Sequence, residues 1–315
     1  MAVVPYNKPY NQLHPGLQFV IFSALFILVL IVGNLIGTAI ATVLYGVKAL
    51  TDVLGLNLNS PHAAAVLWIL QTAGTTFPII AAPVFFAYIV VRNPAGYIKP
   101  NFQFKWTLLL VVFAVMFFSN PAIEFLSNLN QKMVLPPWLK WMRDSEDSAQ
   151  KLMDVMLQMK TIPGLVFDVI LIGLVPAIIE EFMFRGVLQT IFVRWTKNTH
   201  VAIWITAILF SAFHMEFFGF LPRLLLGALF GYFVAWSGSI WPAVWAHFLN
   251  NAADVVVTYL YQHKHIKANP DDQHLFNTLS YLISFALMLN LLLLYRKIAS
   301  KKTIPQPDIN GEELG

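Results

Sequence analysis

Uninterrupted apolar stretches of helix-spanning length recur along this 315-residue chain, and no other sequence feature narrows its possible folds as far. A bilayer core about 30 Å thick takes on the order of 20 apolar residues per helix. With no water available there for backbone N–H and C=O groups, only helices and closed barrels can cross it. The stretches lie near residues 17–45, 62–91, 104–126, 163–184, 199–218, 220–237, 239–261 and 277–296, which predicts eight spanning helices. Charged residues make up 11% of the chain, against roughly 25% in a soluble domain. The expected fold is therefore all-α: a polytopic membrane bundle of about eight transmembrane helices with one amphipathic interfacial segment. Residues 1–300 are expected to form a single transmembrane domain whose motif-bearing core is 163–261, and 301–315 a disordered cytoplasmic tail.

Two spans carry irregular features. The run from Leu17 to Tyr45 is far longer than the 7 to 15 residues of a signal-peptide core, so it is read as a retained helix despite the cleavage-like Ala39-Ile40-Ala41. In the second span Gly74, Thr75 and Thr76 precede Pro78 and Pro83, which predicts a kinked or broken helix. Gln131 to Lys160 differs in kind. It opens on Pro136-Pro137, and Trp138, Leu139, Trp141, Met142, Leu152, Val155 and Met156 alternate with charges at near-helical spacing. Such a pattern predicts a helix lying on the bilayer surface. Arg296, Lys297, Lys301 and Lys302 follow the last span, and an even number of spans puts both termini on one side. That side is expected to be cytoplasmic, in a bacterial inner membrane.

Composition excludes several chemistries. The chain has no cysteine, so disulfides, thiolate metal ligands and cysteine nucleophiles are all ruled out. The formal charge of +4 comes from cations flanking apolar runs, as membrane orientation requires, and no nucleic-acid partner is read from it. Chemistry must come from carboxylates, imidazoles and amides.

Ionisable groups at membrane depth cost about 2.5 to 3.5 kcal/mol each on insertion scales, so retained ones usually face the bundle interior and have a function. Glu180, Glu181 and Arg185 fall on the fourth predicted span, His214 on the fifth, and His247, Asn250, Asn251 and Asp254 on the seventh. Glu181 and Arg185 share a helix face at i, i+4 spacing, where they can neutralise each other. Glu180, about 100° around the helix, is left free to act as a general base on water. His247 and Asn251, again at i, i+4, can both donate to a developing oxyanion. His263, His265 and His274 beside Asp271 and Asp272 match no defined metal-ligand spacing and read as a solvated loop. Glu124 and Asp168 lie near span ends, within reach of interfacial water.

Taken in order on successive apolar helices, Glu-Glu-x-x-x-Arg, Phe-x-x-x-His and His-x-x-x-Asn resemble the CAAX protease and bacteriocin-processing (CPBP) family of intramembrane glutamic endopeptidases. The resemblance covers about Pro163 to Tyr261. It implies that Glu180 and His214 activate water, that His247 and Asn251 stabilise the oxyanion, and that Glu181 and Arg185 support the site. It further implies a peptide or membrane-protein substrate, lipidated or not, and no cofactor. Three other readings stay open on the residues alone. One is a zinc-bound water held by Glu180, His214 and His247, although no His-Glu-x-x-His motif is present. Another is a proton-coupled transporter using the same polar groups, and the last is a non-catalytic scaffold or immunity protein.

Overall fold

The computed structural model describes residues 13–267 and 275–300. All regular structure among them is helical. The long elements are α1 (Pro15–Leu54), α2 (Ala63–Val90), α3 (Thr107–Gln131), α4 (Lys140–Met156), α5 (Ile162–Thr196), α6 (Thr199–Phe213), α7 (Phe220–Ser237), α8 (Trp241–Gln262) and α9 (Thr278–Ser300). Eight of the nine coincide with the predicted spans, and α4 is the amphipathic segment. By length and composition six are apolar enough to cross a membrane: α1, α2, α3, α5, α7 and α9. The two that fall short do so for separate reasons. With 15 residues, α6 reaches only about 22 Å at 1.5 Å per residue, and α8 carries His247, Asn250, Asn251 and Asp254 on a helix of adequate length.

Local chemistry accounts for the irregularities. Gly46 adopts φ +81°, a backbone region that an L side chain avoids, and it breaks α1 one residue beyond the predicted end of the first span. Gly33 lies so close to α2 that a Cβ there would sit 2.2 Å from the Ala73 carbonyl oxygen. Asn34 Nδ2 donates to Gly74 O across the same contact at 3.1 Å. In α2 the expected break is absent: the helix runs through Pro78 and Pro83, with wider π-helical turns at Thr72–Thr76 and Phe86–Val90 absorbing the misfit. Pro121 interrupts α3, and Ser284 of α9 repairs the ladder. Its Oγ donates to Phe118 O at 2.6 Å and accepts from Ala122 N at 3.1 Å.

The start of α1, the single helical turn Pro94–Ile98, and the ends of α5 and α9 share one face of the bundle. The rings of His14 and Trp195 meet at 6.4 Å. Tyr97 binds Gln18 and Arg194, and Lys105 Nζ reaches Ile298 O at 3.2 Å. Burial pushes the Lys99 ammonium beside them down to about 8. On the opposite face α4 packs Leu152, Val155 and Met156 against Ala63, Val66 and Leu67. Of the two acids expected near interfacial water, Glu124 is half-buried and Asp168 is buried. Glu124 accepts the Leu275 and Phe276 amides and the Tyr281 hydroxyl ahead of α9. The tail 301–315, His274, Asp271 and Asp272 lie outside the described residues.

Candidate active site

Helices α5, α6, α7 and α8 converge on one polar cluster in the middle of an otherwise apolar core. The glutamate-bearing helix α5 has two π-helical stretches, Val169–Leu174 and Phe182–Leu188, on either side of Glu180 and Glu181. A π turn rotates the residues that follow it and moves carbonyls off the regular ladder. It thereby re-aims the polar side chains, and it leaves the Ile172 carbonyl to take a donor from α8, Asn251 Nδ2 at 3.4 Å.

Glu181 and Arg185 pair as their spacing predicts, Oε1 to Nη1 at 2.7 Å, with neither side chain exposed. Three aromatic rings and a carbonyl complete the guanidinium's surroundings. Its carbon lies 4.3 Å from the centroid of Phe210 and 5.2 Å from that of Phe230, while Nη2 donates to Gly227 O at 3.0 Å. The pairing keeps both charges at this depth, where an isolated one would be very costly, although Glu181 Oε2 and Arg185 Nε are buried without a hydrogen-bond partner.

One connection was not foreseen from the sequence. The same Oε1 of Glu181 lies 3.0 Å from His247 Nδ1, so Glu181 links Arg185 to the imidazole of α8. His247 also stacks on Phe230 at 5.1 Å. A carboxylate can only accept here, so Nδ1 carries the proton and Nε2 is the nitrogen turned toward the remaining acid. His214 is fixed in the same sense, its Nδ1 lying 2.8 Å from the Phe210 carbonyl oxygen.

Both Nε2 atoms point at Glu180. Glu180 Oε2 is 3.9 Å from His214 Nε2 and 3.8 Å from His247 Nε2, and this buried oxygen has no hydrogen-bond partner. Three polar atoms thus surround a gap that is too wide for direct bonds and wide enough for one water with legs of about 2.8 Å. Glu180 is 13% exposed and His214 25%, so the cluster opens on the His214 side. Among the described residues no group of three or more His, Asp or Glu is arranged to hold a metal ion. Asn250 donates to its neighbour Asn251 at 3.3 Å, and Asp254 is exposed. His263 bonds the Tyr259 carbonyl and stacks near His265.

Two residues that the motifs do not contain complete the entrance. Arg223, at the start of α7, pairs with Glu216 in the loop after His214. Its Nη1 is buried without a partner, and its charge acts on Glu180, His214 and Asp254. Opposite charges flanking the start of an apolar span were the available sequence signal. The roof is α4: Glu146 Oε2 accepts the Phe218 amide at 3.1 Å, and Arg143 lies 3.5 Å over the Phe218 ring. Burial pushes the Glu146 carboxyl above the usual range, opposed by that amide bond.

Comparison with known proteins covers the same segment. Residues 162–253 match the family described as type II CAAX prenyl endopeptidase Rce1-like, and that segment contains every motif residue of the cluster. An uncharacterised protein of Bacillus subtilis (strain 168), YpbD, is 28% identical over 119 residues, which is 36% of this chain and 54% of YpbD. The chain thus spans about half the length of that curated relative. No solved structure matches significantly. The resemblance carried by the three motifs holds over α5 to α8, and the chain is an integral membrane protein with an Rce1-like core.

Proposed function

We propose that this chain, Rce1-like across its motif-bearing core, is an intramembrane endopeptidase that hydrolyses a peptide bond at the membrane with glutamate- and histidine-activated water. One observation carries the reading: two imidazoles with fixed Nδ1 protons turn their Nε2 atoms toward an unpartnered buried oxygen of Glu180. A water between Glu180 Oε2 and His214 Nε2 gives up a proton to Glu180 as its oxygen attacks the scissile carbonyl. The tetrahedral anion accepts from Asn251 Nδ2 and from His247 Nε2. With Nδ1–H held on Glu181, His247 donates from Nε2 as the imidazolium. Each such donor is worth about 3 to 4 kcal/mol of barrier. Proton return from Glu180 to the leaving amine releases a carboxylic acid and an amine. Glu181 and Arg185 hold the His247 ring and do not meet the substrate.

The substrate is a peptide or membrane protein, with lipidated C-terminal peptides the first class to test, and the membrane is a bacterial inner membrane with both termini cytoplasmic. Wild type and Glu180→Gln, each reconstituted with a library of lipidated and unlipidated membrane peptides, should differ in products by mass spectrometry. Wild type cleaves and the variant does not, with or without chelator. Cleavage surviving in Glu180→Gln ends the glutamate mechanism, and loss of wild-type cleavage on chelation replaces it with a metal-bound water. Ion flux that depends on Glu180 without any cleavage instead makes the cluster a transport relay.

A further inference from the structure

Away from the catalytic cluster, a cavity of about 460 Å³ opens where α3 leaves the membrane and α4 begins. Lys132, Lys140 and Arg143 line it, together with Met133, Val134 and Phe218, and no acidic residue is among its walls. The cations are only partly neutralised, and the charge of Arg143 also acts on Glu146, which lies outside the cavity walls. Lys140 makes only an exposed contact of 3.3 Å with Asp144, and neither Lys132 nor Arg143 forms a salt bridge among the described residues. Beside them the chain presents apolar surface outward: Val134 is 92% exposed, and Met133, Trp138 and Trp141 are exposed with it. In water that surface would be unfavourable, but at the level where a spanning helix ends it meets acyl chains, with the tryptophans at headgroup depth.

From this combination we infer that the cavity is a binding site for the phosphate headgroup of an anionic phospholipid, with its acyl chains lying along Val134 and the exposed tryptophans. Three cations without carboxylate walls select a negative charge, and the adjoining apolar strip selects an amphiphile over a free anion. A neutral phosphate-choline headgroup brings its own cation into the same wall and is disfavoured. Arg143 stacks on Phe218, the residue whose amide Glu146 holds, so an occupied site stiffens the loop between His214 and α7. The inference concerns binding alone and stands whether or not the chain is a peptidase.

The full chain purified in detergent is exchanged into nanodiscs of phosphatidylcholine with or without phosphatidylglycerol, and retained lipid is measured by native mass spectrometry. Wild type should retain phosphatidylglycerol at least about five-fold more than Lys132→Ala/Lys140→Ala/Arg143→Ala, and more than phosphatidylcholine. Lys264→Ala/Lys267→Ala, at basic positions elsewhere on the same face, should match wild type. If the triple variant does not fold, the single variants Lys132→Ala and Lys140→Ala, both at exposed positions, should each lower retention. Equal retention by wild type and these variants overturns the site. So does protection from thermal unfolding by inorganic phosphate equal to that given by phosphatidylglycerol, which would make the ligand a free anion.

Discussion

Glu180 and Glu181 are neighbours in sequence with opposite assignments, and their environments set them apart. Glu181 Oε1 is shared by Arg185 and His247, so Glu181→Gln leaves a guanidinium buried without its counter-charge. Removing one partner of such a pair costs about 3–5 kcal/mol, and thermal unfolding in detergent should show a clearly lowered midpoint. Glu180 Oε2 has no bond to lose, so Glu180→Gln should shift stability by less than about 1 kcal/mol. Activity on a cleaved peptide should fall by roughly 10²–10⁴-fold. A Glu180→Gln midpoint as low as that of Glu181→Gln would refute this division of roles. At this scale the sequence was informative because burial in a bilayer filters ionisable residues so strongly. Glu180, Glu181, Arg185, His214, His247 and Asn251 stood out for that reason, whereas Arg223 and Glu216, at a span boundary where charge is ordinary, did not.

Elements impose their own tests. The α1–α2 contact depends on a missing side chain at Gly33, and Gly33→Ala would force the two helices apart or displace the Ala73 carbonyl. Overpacking of this kind costs typically about 1–3 kcal/mol, visible as a lower unfolding midpoint, while Gly55→Ala, in the loop after α1, should cost less. The roof helix α4 makes a pH-dependent prediction. Burial raises the Glu146 pKa in the folded state, so the folded protein binds this proton more readily than the unfolded one. Its contribution to stability is therefore largest at low pH and declines as pH rises through the carboxylate range. Glu146→Gln keeps an acceptor for the Phe218 amide without the charge, so it should equal wild type at acid pH and gain on it toward neutrality. Parallel pH–stability curves for the two proteins would contradict the assignment. Amphipathic spacing made α4 legible as a surface helix, but not its anchor, because the Phe218 amide belongs to a loop 72 residues away.

For the whole molecule, the absence of cysteine makes topology directly measurable. Single cysteines at Asn101 and at Ser148 should react with a membrane-impermeant maleimide from opposite sides of sealed vesicles, and one at Ser300 should behave like the one at Asn101. Labelling of Asn101 and Ser148 from the same side would show that α3 does not cross. The sequence alone determined the helical class, the positions of the bundle helices, the surface nature of α4 and the set of polar residues that had to be sheltered. Those follow from the cost of exposing backbone and charge to hydrocarbon, which acts on each segment wherever it packs. Tertiary structure decided which partner each sheltered group found: Glu181 shared between Arg185 and His247, both imidazoles turned by their Nδ1 bonds toward Glu180, and Arg223 placed at the entrance. Such choices depend on helix rotation and on π turns in α5, which arise from side-chain packing between distant segments and leave no periodic trace in the chain.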